Sequence, residues 1–147
     1  MKLSTRGRYA TRAMLDLALN SGEGPVLLRD ISKRQEISEL YLKQLLSPLR
    51  VAGLVRTMRG AHGGFTLARP PSQIKLIEIV HCVEGSTAPV ECLDNARICR
   101  HSDLCVIRGV WAEVKKAIDN VLESITLQNL VEQYRQKRDT SVGSYQI

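Results

Sequence analysis

The sequence predicts a mainly α-helical fold with one small β-hairpin: a winged helix-turn-helix followed by a long dimerisation helix. Apolar residues recur at helical spacing through most of the chain. Two short β-prone runs enclose a glycine-rich turn directly after the third helical segment. A late apolar stripe is longer than a small core can cover, and pairing two such helices is the simplest way to bury it.

Ser4 or Thr5 caps a first helix that runs to about residue 20 and buries Ala10, Ala13, Met14 and Leu17. Ser21-Gly22-Glu23-Gly24-Pro25 stops it. Residues 28–35 form a short second helix buried through Leu28 and Ile31, and 35–37 make a turn. Ser38 then caps a third helix to about residue 52, ended by Gly53. On that helix Leu42, Leu45, Leu46 and Leu49 share one face, while Leu40, Gln44 and Ser47 lie opposite with Tyr41 and Lys43 flanking. A one-sided helix behind a short helix and a tight turn is a helix-turn-helix. Pro48 removes a backbone donor and predicts a kink. Strands at 54–58 and 65–68 around Arg59-Gly60-Ala61-His62-Gly63-Gly64 make the wing.

Pro70-Pro71 punctuates the chain before a helix at 76–84. Residues 85–104 show little periodicity, and an irregular stretch of that length is usually functional. The long stripe follows: Val106, Ile107, Val110, Trp111, Val114, Ile118, Val121 and Leu122. Thr126 caps a terminal helix carrying Leu127, Leu130 and Val131. The expected organisation is a DNA-binding winged helix-turn-helix at 1–70, a connecting helix and cysteine loop at 71–104, dimerisation and terminal helices at 105–135, and a flexible tail at 136–147.

The 147 residues suit one compact domain with an assembly element. Only six are aromatic, so the core must be mostly aliphatic. Residues 1–70 carry twelve Lys/Arg against five Asp/Glu, and 71–147 carry nine against ten, so the basic excess belongs to the first half. Such asymmetry suits a phosphate backbone, though a solvated basic surface also satisfies it. No apolar stretch approaches the ~20 residues needed to cross a bilayer, and the N-terminus lacks the apolar core of a secretory signal. A cytoplasmic protein without a membrane partner is expected. There is no C-x-x-C pair, catalytic carboxylate pair or nucleophile–base motif, so an enzyme is not expected.

Three of the four cysteines, Cys92, Cys99 and Cys105, fall within fourteen residues. Without a secretion signal this is a metal-site pattern before it is a disulfide pattern. Structural zinc fits poorly, because its usual knuckles are C-x2-C; a thiol switch without metal stays open. Cys82, among Ile79, Val80 and Val83, reads as packing. Thiols beside a basic segment point to a metal-dependent, DNA-binding regulator.

The opening KLSTRGRYATRAMLDLALN, the helix-turn-helix ISELYLKQLLSPLRVAGLV, the wing RGAHGGF, the VEG triplet, the three-cysteine loop and the ending ITLQNLVE resemble the IscR-type winged-helix regulators. These are bacterial transcription factors that control iron–sulfur cluster assembly genes. The resemblance covers nearly the whole chain. It implies a homodimer on a palindromic double-stranded DNA site, with an iron–sulfur cluster, 2Fe–2S or alternatively 4Fe–4S, on Cys92, Cys99 and Cys105. It carries DNA contacts onto Ser38, Tyr41 and Gln44 of the third helix and Arg59 of the wing, with Ser4, Thr5, Arg6 and Arg8 as phosphate contacts. Lys43 stands where the familiar members have an acidic residue, which alters the operators accepted.

Two further departures concern the cluster. The familiar fourth ligand, a histidine three residues past the third cysteine, is Arg108 here, and the C-x6-C-x5-C loop is one residue longer between the first pair. His101 is the first candidate for the fourth donor and Asp103 the second; His62, His81 and Asp16 could serve if the fold brings them near. Arg97, Arg100 and Arg108 offset thiolate charge. Alternatives on the same scaffold are a nitric-oxide sensor and a cysteine-metabolism or thiol-redox repressor. Outside the regulators, the alternative is an iron–sulfur carrier or small redox protein.

Overall fold

The computed structural model describes residues 2–144, with six α-helices and a two-stranded antiparallel hairpin among them. Helix α1 (Thr5–Leu19) turns Ala10, Ala13, Met14, Leu17 and Ala18 inward, and it packs against four other helices and the wing. Helix α2 (Leu28–Gln35) ends at Glu36, which takes a left-handed conformation with φ 55°. Its N–H reaches Ser32 O, while the Ser32 hydroxyl donates to Ile37 O at 2.6 Å. That tight corner starts α3 (Glu39–Val51), capped by Ser38 as expected. Leu42, Leu45, Leu46 and Leu49 are buried on its inner face, each contributing about 2 kcal/mol. The helix runs on through Pro48. The carbonyl that loses its donor there belongs to Gln44, on the exposed side where water can serve it.

Strands β1 (Val55–Met58) and β2 (Gly64–Leu67) pair with Val55 opposite Leu67 and Met58 opposite Gly64. Val26 adds a bridge to Phe65, with N–H to O distances of 2.9 and 2.8 Å. At Gly64 a Cβ would strike the Val26 carbonyl, so glycine is required for the wing to dock there.

Helix α4 (Leu76–Glu84) leads into residues 85–105, which hold two single-turn 3-10 helices at Glu91–Leu93 and Ala96–Ile98. Helices α5 (Val106–Ser124) and α6 (Leu127–Ser144) complete the chain. The junctions before α4 and α6 clasp each other: Leu76 N–H donates to Ile125 O at 2.8 Å and Leu127 N–H to Ile74 O at 2.9 Å. Leu127 and Val131 thereby enter the same core as Met14 and Leu46. Helix α5 has no buried residue. Val106, Ile107, Val110 and Val121 stay exposed, so its own chain leaves the expected stripe largely uncovered.

Two expectations need revision. Helix α6 continues through 136–144, where the sequence suggests a tail: Gln136, Lys137 and Arg138 are good helix formers, and the helix runs on from them through the poorer Thr140, Ser141 and Gly143. The Thr140 and Ser141 hydroxyls bond back to the carbonyls of Gln136 and Lys137. Residues 145–147 of that tail lie outside the described residues. Asp16, offered as a metal donor, is instead a structural anchor at 2% exposure. Its carboxylate accepts two Arg34 N–H groups at 2.8 and 2.9 Å and the Gln35 amide at 3.0 Å. With the Asn20 amide also donating to Oδ1 at 3.5 Å, the carboxylate is turned onto protein donors rather than toward an ion, and the hydrogen bond to Asp16 raises the Arg34 pKa above its ordinary value.

Asp16→Ala should destabilise the protein by about 2 kcal/mol, since it strands the Arg34 and Gln35 donors, discounted for the exposed Arg34 head. Urea unfolding that moves by less than a few tenths of that would remove the anchor role.

Candidate nucleic-acid interface and cysteine loop

The outer face of α3 presents Lys43 and Gln44 to solvent, with Ser38 at its start. The Ser38 oxygen accepts the Tyr41 N–H at 3.2 Å, so it caps the helix while its own proton stays free to donate. Tyr41 is half-buried, its ring meeting Tyr9 edge-on at 5.9 Å between centroids. The guanidinium groups of Arg8 and Arg12 lie 5.7 and 5.3 Å from the Tyr9 ring centre. Arg12 also bonds the Gln35 side chain at 3.3 Å and the Gln35 carbonyl. A cation–aromatic stack therefore braces the outer helix against α1. Leu40, 70% exposed on the same face, was missed as a candidate. Its apolar surface suits a thymine methyl, and its position opposite the buried leucines was the available signal.

Arg59 sits exposed at the wing turn, and Arg56 on β1 is a second exposed cation that sequence reasoning passed over. At the start of α1, Thr5, Arg6 and Arg8 are exposed. Ser4 is occupied: its hydroxyl donates to Glu84 and its oxygen accepts the Gly7 N–H at 3.3 Å.

The cysteines lie apart along their loop. Cys92 falls in the first 3-10 turn, Cys99 ends the second, and Cys105 immediately precedes α5. All are half-buried free thiols. Arg108, which stands where the resemblance places a histidine ligand, points its guanidinium at the Cys92 carbonyl, with distances of 3.0 and 3.3 Å. It holds the backbone of the loop and cannot ligate. His101 and Asp103 are exposed in the turn between Cys99 and Cys105, His62 is in the wing turn, and His81 on α4 lies 3.7 Å from Asp119. Among the described residues, no three His, Cys, Asp or Glu side chains gather into a group that could hold a metal ion. The donor chemistry nonetheless suits an iron–sulfur centre: three soft thiols on a backbone held by local turns rather than by core packing. The fourth donor is set by no contact here.

Cys82 packs on the core edge, and burial pushes its thiol up against the opposing pull of Arg6. Asp119 on α5 ties the root of the loop: it accepts from Thr87 and Lys115. Those two hydrogen bonds, Lys115 first, hold its carboxyl below the usual carboxylate range. A cavity of about 710 Å³ lies between α1, α4 and α5, lined by Leu15, Val80, Thr87, Ile118 and Leu122; no loop cysteine reaches it. Among the described residues, no helix is long and apolar enough to cross a membrane.

A winged helix-turn-helix with a cationic outer face defines a DNA-reading regulator. Residues 3–133 match Rrf2, described as an iron-dependent transcriptional regulator. IscR of Photorhabdus laumondii subsp. laumondii is 44% identical over 131 residues, 89% of this chain and 79% of that protein. Among solved structures, CymR, the global cysteine regulator of B. subtilis, has a TM-score of 0.76 at 40% identity, covering 90% of this chain and 98% of the other. T. potens IscR gives 0.76 at 44% identity, over 91% and 88%. The chain belongs to the Rrf2 family of transcriptional regulators, which implies DNA binding.

Because the folded Asp119 carboxyl is depressed, the stability it contributes is present above the ordinary carboxylate pKa and is lost as pH falls through the lower folded value. Asp119→Asn should be less stable at neutral pH and lose less stability on acidification than the parent. Equal acid slopes in denaturant titrations would exclude this linkage.

Proposed function

We propose that this chain is a homodimeric, cytoplasmic regulator that binds palindromic promoter DNA, with an affinity set by an iron–sulfur cluster on Cys92, Cys99 and Cys105. Its target genes would serve iron–sulfur cluster assembly. The observation that carries this reading is the set of three free, half-buried thiols placed between the helix that packs on α1 and the uncovered helix α5. When bound, an iron–sulfur cluster supplies an iron- and oxidant-sensitive bridge between loop thiolates. The chain's own residues do the rest. Cys105 adjoins α5, whose exposed Val106, Ile107, Val110 and Val121 pair with a second copy. Ser38, Tyr41, Lys43, Gln44 and Arg59 read the duplex, while Thr5, Arg6 and Arg8 contact phosphates. His101, or alternatively Asp103, completes the ligand set.

A second reading, thiol-redox or cysteine-linked repression, draws on the ungathered state of the thiols and the likeness to CymR. Iron and sulfide content and visible absorption after oxygen-free purification separate the two. Colourless, iron-free protein after reconstitution, with a disulfide between two loop cysteines, favours the second.

On the first reading Cys92→Ala abolishes the visible absorption and fixes promoter affinity at the cluster-free value, a change of ~5–150-fold from the loaded protein. Identical affinities for loaded parent and variant at every promoter tested would sink cluster control. Arg59→Ala should weaken promoter binding about tenfold while leaving the fold intact; an unchanged dissociation constant and footprint take the wing out of the interface.

A further inference from the structure

Glu84 is the last residue of α4, yet its carboxylate lies at the start of α1. Its Oε1 accepts the Gly7 N–H at 3.0 Å and the Ser4 hydroxyl. A carboxylate at a helix N-terminus is favoured by the unsatisfied N–H groups and the dipole. Gly7 makes room for it. Glycine weakens a helix relative to alanine, and no left-handed backbone requires it at this position. A Cβ on residue 7 would stand 2.6 Å from Glu84 Oε1 and 2.8 Å from Leu3 Cδ1. The turn capped in this way carries the exposed Thr5, Arg6 and Arg8.

In the other direction, Glu84 is one residue from the cysteine loop. Gly85, at φ 80°, turns the chain out of α4. The Ser86 hydroxyl then donates to Asp94 Oδ1 at 2.9 Å, two residues beyond Cys92, and accepts the Ala88 N–H at 3.0 Å. A path thus runs from the Cys92 turn through the Asp94–Ser86 hydrogen bond, along the backbone at Gly85, and through the Glu84–Gly7 hydrogen bond.

We propose that Glu84 is a positioning residue for DNA binding, carrying the state of the cysteine loop to the first turn of α1. The proposal rests on the reading of Thr5, Arg6 and Arg8 as phosphate contacts and deepens it. When the loop shifts, Glu84 leaves the Gly7 N–H and the Ser4 hydroxyl, the first turn keeps only the longer 3.3 Å Ser4 cap and loosens, and Arg6 and Arg8 lose their fixed places.

The test is a double-mutant cycle on the full chain without iron: parent, Ser86→Ala, Glu84→Ala and both together. Each is titrated with a duplex that the parent selects from a random library, and Gly7 amide exchange is followed by NMR. Both single variants should bind more weakly and exchange Gly7 faster. The double variant should match Glu84→Ala, departing more than about threefold from the product of the single effects. Glu84→Gln, which keeps an acceptor, should retain the coupling to Ser86. If Glu84→Ala does not fold, Gly7→Ala takes its place, since it displaces the carboxylate while favouring the helix, and exchange of the residue-7 amide is then compared with and without Ser86→Ala. Single effects that multiply within about twofold, or Gly7 exchange unmoved by Ser86→Ala, overturn the relay while Arg6→Ala and Arg8→Ala still weaken binding. Loss of the phosphate reading looks different: Arg6→Ala and Arg8→Ala then leave affinity unchanged, which overturns both.

Discussion

A carboxylate at 2% exposure needs every lone pair answered, and at Asp16 the partners that answer it build the DNA-reading head. Arg34 and Gln35 reach it from the last turn of α2. Gln35 is also gripped through its carbonyl by Arg12, one turn before Asp16 on α1. With the end of α2 pinned to α1 from two sides, the left-handed Glu36 and the Ser38 cap leave α3 little freedom of direction. In a chain with six aromatic residues, this charged clasp supplies directional constraint that an aliphatic core lacks.

The cysteine loop is built on the opposite principle. Its bonds are local: Ser86 to Asp94, Asn95 to the Arg97 N–H, Ser102 to Ala96. It contributes no side chain to the buried core. Segments of this kind open at low free energy. Its longer-range ties are few: Arg108 holds the Cys92 carbonyl, Asp119 holds Thr87, and Glu84 leads from its root to α1. The loop is therefore the part of the molecule that yields most readily, while α2 is held to α1 through Asp16.

The uncovered face of α5 belongs to the same division of labour. Its apolar side chains begin directly beside Cys105, and the exposed Val106 and Ile107 adjoin the loop itself. Subunit pairing through that face, as proposed, would place the loop next to the seam.

Most of the fold was legible in local patterns. The leucine spacing marked α3, Ser38 and Gly53 marked its ends, and the glycine-rich turn marked the wing, because periodicity and turn chemistry act over a few residues. The cationic half of the chain was legible in composition, whereas the cysteines, close together in the string, lie apart along their loop in the fold. The partners of isolated polar groups were not legible. Asp16 looked free until residues eighteen and nineteen positions away were folded onto it. Glu84 looked like an ordinary helix end until residue 7, seventy-seven positions distant, turned its N–H toward it. Arg108 occupied a ligand's place in the string but a backbone carbonyl's side in space. Helix and strand signals are carried by neighbours along the chain, whereas the satisfaction of a buried charge or a helix terminus is a property of packing, and only the folded chain determines it.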